Sequence, residues 1–250
     1  MGDSHVRDGA GIVRIVRRGA VPRPGGWSAL LLAACLFVAP APGSGAWDAE
    51  RMLRAAAAHS QRTEQAARHL LDLMTRLGKR ELRDPRETRA RLDAVNDYFN
   101  RSVAFTDDSV VWGAEDHWAS PLETLSKGAG DCEDYAIAKY FTLVASGVPS
   151  ASLRLVYVRA MLPASQGLPA RSQAHMVLAH YEDRSEDPLI LDNLVPEIRR
   201  ASLRSDLTPV FSFNGEGLWH GAGAQTAGDP MLRLSRWREV VRKARTEGFE

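Results

Sequence analysis

Near Gly147 the apolar residues change their spacing, and that change limits the chain to one class of fold. Before it they recur at helical intervals, and after it they alternate. Residues 48–78 carry Met52, Leu53, Ala56, Ala66, Leu70, Leu73 and Leu77 on one helical face and stop at Gly78, with a break near His59 and Ser60. A second helix runs from about Pro85 to Asn100, with Leu92, Val95 and Phe99 aligned. Ser120, Pro121 and Glu123 supply an N-cap, a proline at N1 and a glutamate at N3, so a short helix starts there and ends at Gly128. Gly130 reads as a turn. Tyr135, Ile137, Ala138, Phe141, Leu143 and Val144 then form a strongly apolar helix, stopped by Gly147 and Pro149. From there "LRLVYVRA" (153–160), "AHMVLAHYE" (174–182) and "PLILDN" (188–193) read as strands, with "DRSED" turning between the last two. Residues 206–219 read as a loop or one further short strand. Met231 to Arg245 reads as a basic amphipathic helix docked at the end of the chain. Helices followed by a strand meander imply an α+β fold with an antiparallel sheet.

The first 46 residues differ from the rest. Arg14, Arg17, Arg18 and Arg23 precede the apolar run "ALLLAACLFVA", and small residues follow at Ser44 and Ala46. This is the pattern of an export signal, too short for a membrane span, with cleavage placed after Ala46. An uncleaved anchor, or a lipoprotein box at "LAAC", are the alternatives. The expected organisation is an export segment at 1–46, a main domain at 47–222 and a C-terminal helix or tail at 223–250. Removing the first segment takes away five Arg and two Asp, leaving 27 Lys and Arg against 29 Asp and Glu. That balance offers no footprint for nucleic acid. It also removes Cys35, so Cys132 remains as a single thiol in an oxidising compartment.

Cys132 stands in "GAGDCEDYAIAKY", beside Asp131, Glu133 and Asp134. Carboxylates raise a thiol's pKa and suppress the thiolate that would attack a carbonyl, so either the thiol is inert or something cationic offsets them. Nucleophilic chemistry needs a base, a group orienting that base, and donors for an oxyanion. A helix N-terminus offers Cys132 a favourable field and free N–H groups. His175 opens its strand. If that strand and 188–192 form a hairpin, Asp192 comes beside His175 although 17 residues separate them in sequence. His180 is a rival base, farther from Asp192. Taken singly, the three residues have ordinary structural readings: a small buried cysteine, a structural histidine, a turn-capping aspartate.

The segments "PLETLSKGAGDCEDYAIAKY", "LRLVYV", "AHMVL", "PLILDNL" and "SFNGEGLW" together resemble the bacterial transglutaminase-like cysteine proteases of the LapG type over about residues 47–220. The resemblance implies a papain-like, transglutaminase-type core with N-terminal helices, a catalytic helix starting at the cysteine, and a Cys132, His175, Asp192 triad. It implies a periplasmic endopeptidase that cuts a large surface adhesin near its N-terminus at a di-alanine site, releasing it and dispersing a biofilm. An inner-membrane receptor for cyclic di-GMP would hold the enzyme in check. It also implies calcium, held by Asp131 and Glu133 with Asp134 as a further candidate; a solvated helix start is the other reading of that acidic trio. Acyl transfer to an amine by the same triad, and a non-catalytic calcium-dependent binding module, are the competing functions. Trp112 and Trp118, just before the cysteine loop, are read as core packing, with docking or groove shaping as the alternative.

Overall fold

The computed structural model describes residues 47–79, 82, 84–164, 169–182 and 187–249. The expected export segment, 1–46, and most of the "DRSED" turn lie outside them. Among the described residues three helices come first: α1 (Ala49–His59), α2 (Gln61–Gly78) and α3 (Pro85–Ser102). The expected break is real. Ser60 ends α1 and caps α2, its side chain accepting from the Thr63 N–H. A two-residue strand β1 (Ala104–Phe105), the short helix α4 (Asp108–Val111) and α5 (Pro121–Lys127) follow. The capping box at Ser120 and Glu123 is complete, and Gly128 closes α5 in the left-handed conformation, with φ 62°.

Gly130 is not a turn. It lies in β2 (Ala129–Gly130), which pairs in parallel with β1. Glycine is required there for a different reason: a Cβ would stand 2.5 Å from Asp134 Oδ2. Directly after β2, α6 (Cys132–Ala145) begins, and its apolar side chains are buried on nearly every face.

The sheet has seven antiparallel strands. They are β3 (Leu153–Leu162), β4 (Arg171–His180), β5 (Leu189–Leu191), β6 (Arg199–Arg200), β7 (Leu207–Phe213), β8 (Leu218–His220) and β9 (Thr226–Gly228), in the order β6-β5-β4-β3-β7-β8-β9. The segment 206–219 is therefore two strands joined through "NGEG" rather than a loop. β7 pairs with β3, which makes β3 and β4 the centre of the sheet. One face of the sheet receives α6, and Leu155, Met176, Leu178, Leu191 and Phe213 join the main core there. The other face carries a smaller apolar cluster of Val156, Val158, Val177, Ala179, Tyr181 and Ile190.

Residues 223–249 belong to the same compact unit as the main domain. After α7 (Pro230–Arg233), α8 (Ser235–Thr246) buries Trp237 among Tyr140, Phe141 and Phe213. Glu247 then reaches α5, accepting from Ser120 Oγ and from the Leu122 N–H. The basic face of α8 points outward, which is why the sequence reads it as amphipathic and docked. No helix among the described residues is long and apolar enough to cross a membrane.

Candidate active site

Cys132 is the first residue of α6, so the backbone N–H groups of Cys132, Glu133 and Asp134 have no partner within the helix; the first such bond is from the Tyr135 N–H to the Asp131 carbonyl. It lines an open cleft of about 390 Å³ with Phe105, Asp131, Glu133, Tyr157, Gln173 and His175. The thiol is half-buried and donates to Glu133 Oε2 at 3.0 Å. Burial pushes its pKa up, the Glu133 carboxylate pushes it further, and the Met176 N–H pulls weakly the other way. The neighbouring acids therefore suppress the thiolate, as their placement in the sequence suggests.

The hairpin β4–β5 brings the other two residues together. Leu178 lies opposite Leu191 and His180 opposite Leu189. The same register sets Asp192 one diagonal step from His175. His175 Nε2 and Asp192 Oδ1 are 2.8 Å apart, both side chains essentially without solvent exposure. Asp192 Oδ1 also accepts from the Leu194 N–H at 3.0 Å, and Oδ2 accepts from Arg204 Nη2 at 2.7 Å. Burial works against the charged carboxylate, yet these three donors outweigh it and hold its pKa at about 2. His180 sits at the far end of β4 and lines a separate depression with Leu82, Pro85 and Pro149.

The acidic residues divide into two groups. Asp131 and Glu133 flank the thiol, with ligand atoms of all three residues within 4.8 Å of one another. Asp134 turns away from the cleft into a second group, in which oxygens of Asp108, Asp131 and Asp134 lie equally close. Asp134 is wholly buried, its Oδ1 accepting from the Ala119 N–H at 2.8 Å. Asp134 Oδ2, Asp131 Oδ1 and Asp108 Oδ1 are buried and without hydrogen-bond partners. Burial, then mutual repulsion, raises Asp131 to about 9. Asp134 rises to about 8, with burial the largest cause, and Asp108 moves upward for the same reason. Native interiors rarely leave three such oxygens unpaired. A hard divalent cation such as Ca2+, which takes about six to eight oxygens, would satisfy them all, so the residues present fit one. A solvated helix start is excluded for Asp134 by its burial.

Asp108 and Arg204 are the two contributors that sequence reading missed. Asp108 opens the four-residue helix α4 and accepts from the His117 N–H, so in the sequence it looks like an ordinary turn acid. Trp112 and Trp118 pack rather than project. Trp112 lies tilted against His117 with ring centroids 4.2 Å apart, and Trp118 stacks on Phe213 at 5.6 Å.

This geometry can be set beside known proteins. Residues 72–205 match the family described as bacterial transglutaminase-like cysteine proteinases. Among solved structures, Legionella pneumophila LapG is 36% identical, with a TM-score of 0.64, over 79% of this chain and 97% of that one. An EGTA-treated form of LapG gives 36% identity and a TM-score of 0.66 over the same shares. A calcium-bound form gives 37% and 0.63, over 78% of this chain and 98% of that one. A search of curated proteins finds no match. With the match spanning more than half of the chain and nearly the whole of these relatives, this chain belongs to the bacterial transglutaminase-like cysteine proteinases.

Proposed function

We propose that this protein is a calcium-dependent cysteine endopeptidase in which Cys132 is the nucleophile, His175 the base and Asp192 the residue that orients it. One observation carries the reading: a buried imidazole held 2.8 Å from a buried carboxylate, in the cleft that also contains a cysteine at a helix start. Asp192 is ionised at working pH, so it can only accept, and the proton it receives is on Nε2. That leaves Nδ1 as the basic atom of the ring. It takes the thiol proton as sulfur bonds to the scissile carbonyl carbon, and the oxyanion meets the free N–H groups at the start of α6. The imidazolium then protonates the departing amine. Water, deprotonated by the same ring, hydrolyses the thioester and restores the thiol.

Asp131 and Asp134, with Asp108 beside them and Glu133 next to the thiol, would hold the calcium. When bound it supplies positive charge that offsets the carboxylates and favours the thiolate. The substrate we infer, from the sequence resemblance to LapG-type proteases, is the N-terminal region of a large surface adhesin, cut near a di-alanine site. The same resemblance is the ground for proposing regulation by an inner-membrane cyclic di-GMP receptor. The basic and apolar pattern of residues 1–46 supports action in the periplasm. The open cleft, rimmed by Phe105, Tyr157 and Gln173, suits an extended chain rather than a compact small molecule.

The test is cleavage of an adhesin N-terminal segment carrying a di-alanine site, by wild type and Cys132→Ala, each with calcium and with EGTA, with a primary amine added in parallel lanes. Two fragments from the wild type in calcium alone are expected. Amine-tagged product would assign acyl transfer instead, and full activity in EGTA would remove the calcium requirement.

A further inference from the structure

We propose that Arg204 is a positioning residue of this site: it holds the Asp192 carboxylate from behind, with Oδ1 kept on the His175 imidazole. The inference rests on the triad reading above and adds a fourth residue to it.

Asp192 has two oxygens and two tasks. Oδ1 serves His175 and the Leu194 N–H, and the orientation of that oxygen depends on what occupies the other. Arg204 Nη2 does so at 2.7 Å. The guanidinium is itself fixed: Nε donates to Asp206 Oδ1 at 2.9 Å and Nη2 to Asp206 Oδ2 at 2.8 Å. One planar cation thus spans two carboxylates, a buried one and a half-exposed one at 39%. A lysine ammonium would supply the charge but not the fork.

The surroundings argue that this is more than ordinary packing. The Arg204 side chain is 3% exposed and borders an apolar cavity of about 100 Å³, with Val156, Val158, Val177 and Ile190 on the sheet face away from the helices. Its Nη1 is buried without a hydrogen-bond partner. Stability alone favours an apolar residue beside such a cluster, because removing a guanidinium from water is expensive. The cost is offset by what the guanidinium does for Asp192. Without it that carboxylate would be buried with only an imidazole and one amide to support its charge.

Other charged groups face Asp192 from the elements packed around it. His175 comes from β4 and Asp206 from the start of β7. Lys139 of α6 is buried, with Nζ on Asn96 Oδ1 at 2.8 Å, and acts on Asp192 electrostatically. Asn100 of α3 donates to the Asp192 main-chain carbonyl at 2.9 Å. Arg204 is the cation in hydrogen-bond contact with the carboxylate, so its removal is the one that should free Oδ2.

The experiment follows the rate at which iodoacetamide alkylates Cys132 against pH, in saturating calcium, for wild type, Arg204→Met, Arg204→Lys and Asp206→Asn. Substrate cleavage by the same proteins is measured in parallel. Arg204→Met should slow alkylation and kcat about 10- to 100-fold, with KM little changed. Its acidic limb should move to higher pH by about one pH unit or less, because a carboxylate free to turn supports the imidazolium that partners the thiolate less well. Arg204→Lys should recover part of the rate, and Asp206→Asn should move the limb the same way by less. A wild-type thiol no more reactive than a free cysteine would sink the triad reading itself. A reactive wild type with a folded Arg204→Met that keeps its rate and limb would overturn only this inference. Should Arg204→Met fail to fold, Asp206→Asn decides, and an unmoved limb there overturns it too.

Discussion

The two walls of the cleft are built on opposite terms. On the strand wall every acceptor of Asp192 is used, by an imidazole, a backbone amide and a guanidinium. Behind the helix wall Asp108, Asp131 and Asp134 bring buried oxygens together and leave one on each unpaired. On the strand wall the Asp192 carboxylate is satisfied by protein groups alone, although Nη1 of Arg204 behind it has no partner. The unpaired oxygens of the helix wall are those that the proposed cation would satisfy. A satisfied polar network sets geometry, whereas an unsatisfied one makes a protein responsive to what it binds. On the proposed reading, the base is always ready and the nucleophile waits for calcium.

The sharpest way to break this contrast is on the strand wall. Asp192→Asn keeps the volume but lets the side chain donate, so Nε2 no longer needs to carry the proton and the ring can present the wrong tautomer. Substrate cleavage should fall roughly 10³- to 10⁴-fold, mostly in kcat. The variant also strands Arg204 beside a neutral amide. Breaking a buried pair costs about 3–5 kcal/mol, so the denaturation midpoint should drop clearly as well. Initial rates and urea unfolding read the two effects separately. A variant retaining a tenth of the wild-type rate would mean that the strand wall does not organise the chemistry.

The helix wall should answer to calcium instead. At 100 times its dissociation constant a ligand adds about 2.7 kcal/mol to stability. For a domain of this size that raises Tm by about 5–10 °C. The rise should vanish in Asp134→Asn and persist in Asp192→Asn, as differential scanning fluorimetry in calcium and in EGTA would show. Asp108→Asn tests the residue that only the structure brings in: a wild-type response there would remove it from the calcium set.

The contrast also explains what could be read from the sequence. The strand wall was largely legible because one hairpin register, set by the alternation in "HMVLAHYE" and "LILD", implies that His175 and Asp192 meet. The helix starts were legible too, since Ser120, Glu123 and Gly128 act within a few residues of themselves. Arg204 was not. It stands in irregular chain between β6 and β7, and neither its spacing nor its neighbours mark it as the partner of Asp192. Asp108 was hidden in the same way, 23 residues before Asp131 in a segment with no periodicity. Gly130 looked like a turn because glycine usually marks one; its real constraint is the carboxylate of Asp134 packed against it. The β7–β8 hairpin was half seen, since Pro209 weakens the strand pattern that its pairing with β3 restores. Contacts governed by local rules were visible, and those made by long side chains across the fold were not.

A pH series in EGTA would separate the two walls without any substitution. Asp134 is raised by burial to about 8 from 3.8, so the folded chain holds a proton that the unfolded chain has released. Its contribution is full below about pH 4 and is lost as pH rises toward 8. Asp192 runs the other way, lowered to about 2, and its contribution is present above pH 4 and lost as pH falls toward 2. The metal-free protein should therefore lose stability between pH 4 and 8, and calcium should flatten that slope because the bound ion favours the ionised acids. A slope of the same size in calcium would detach the two effects from each other.

The smallest expected effect tests the contact that suppresses the Cys132 thiolate. The thiol donates to Glu133 Oε2, and that carboxylate, after burial, is what raises its pKa. Glu133→Gln removes the charge and keeps the shape. In EGTA, at a fixed pH below the thiol's titration, the thiolate fraction should rise, and iodoacetamide should alkylate Cys132 about 3- to 10-fold faster, the upper figure corresponding to one pKa unit. The fold should be unchanged, because Glu133 lies at the rim of the cleft. An unchanged rate would mean that burial alone silences the thiol, and the acidic residues beside Cys132 would then act only through the metal they hold.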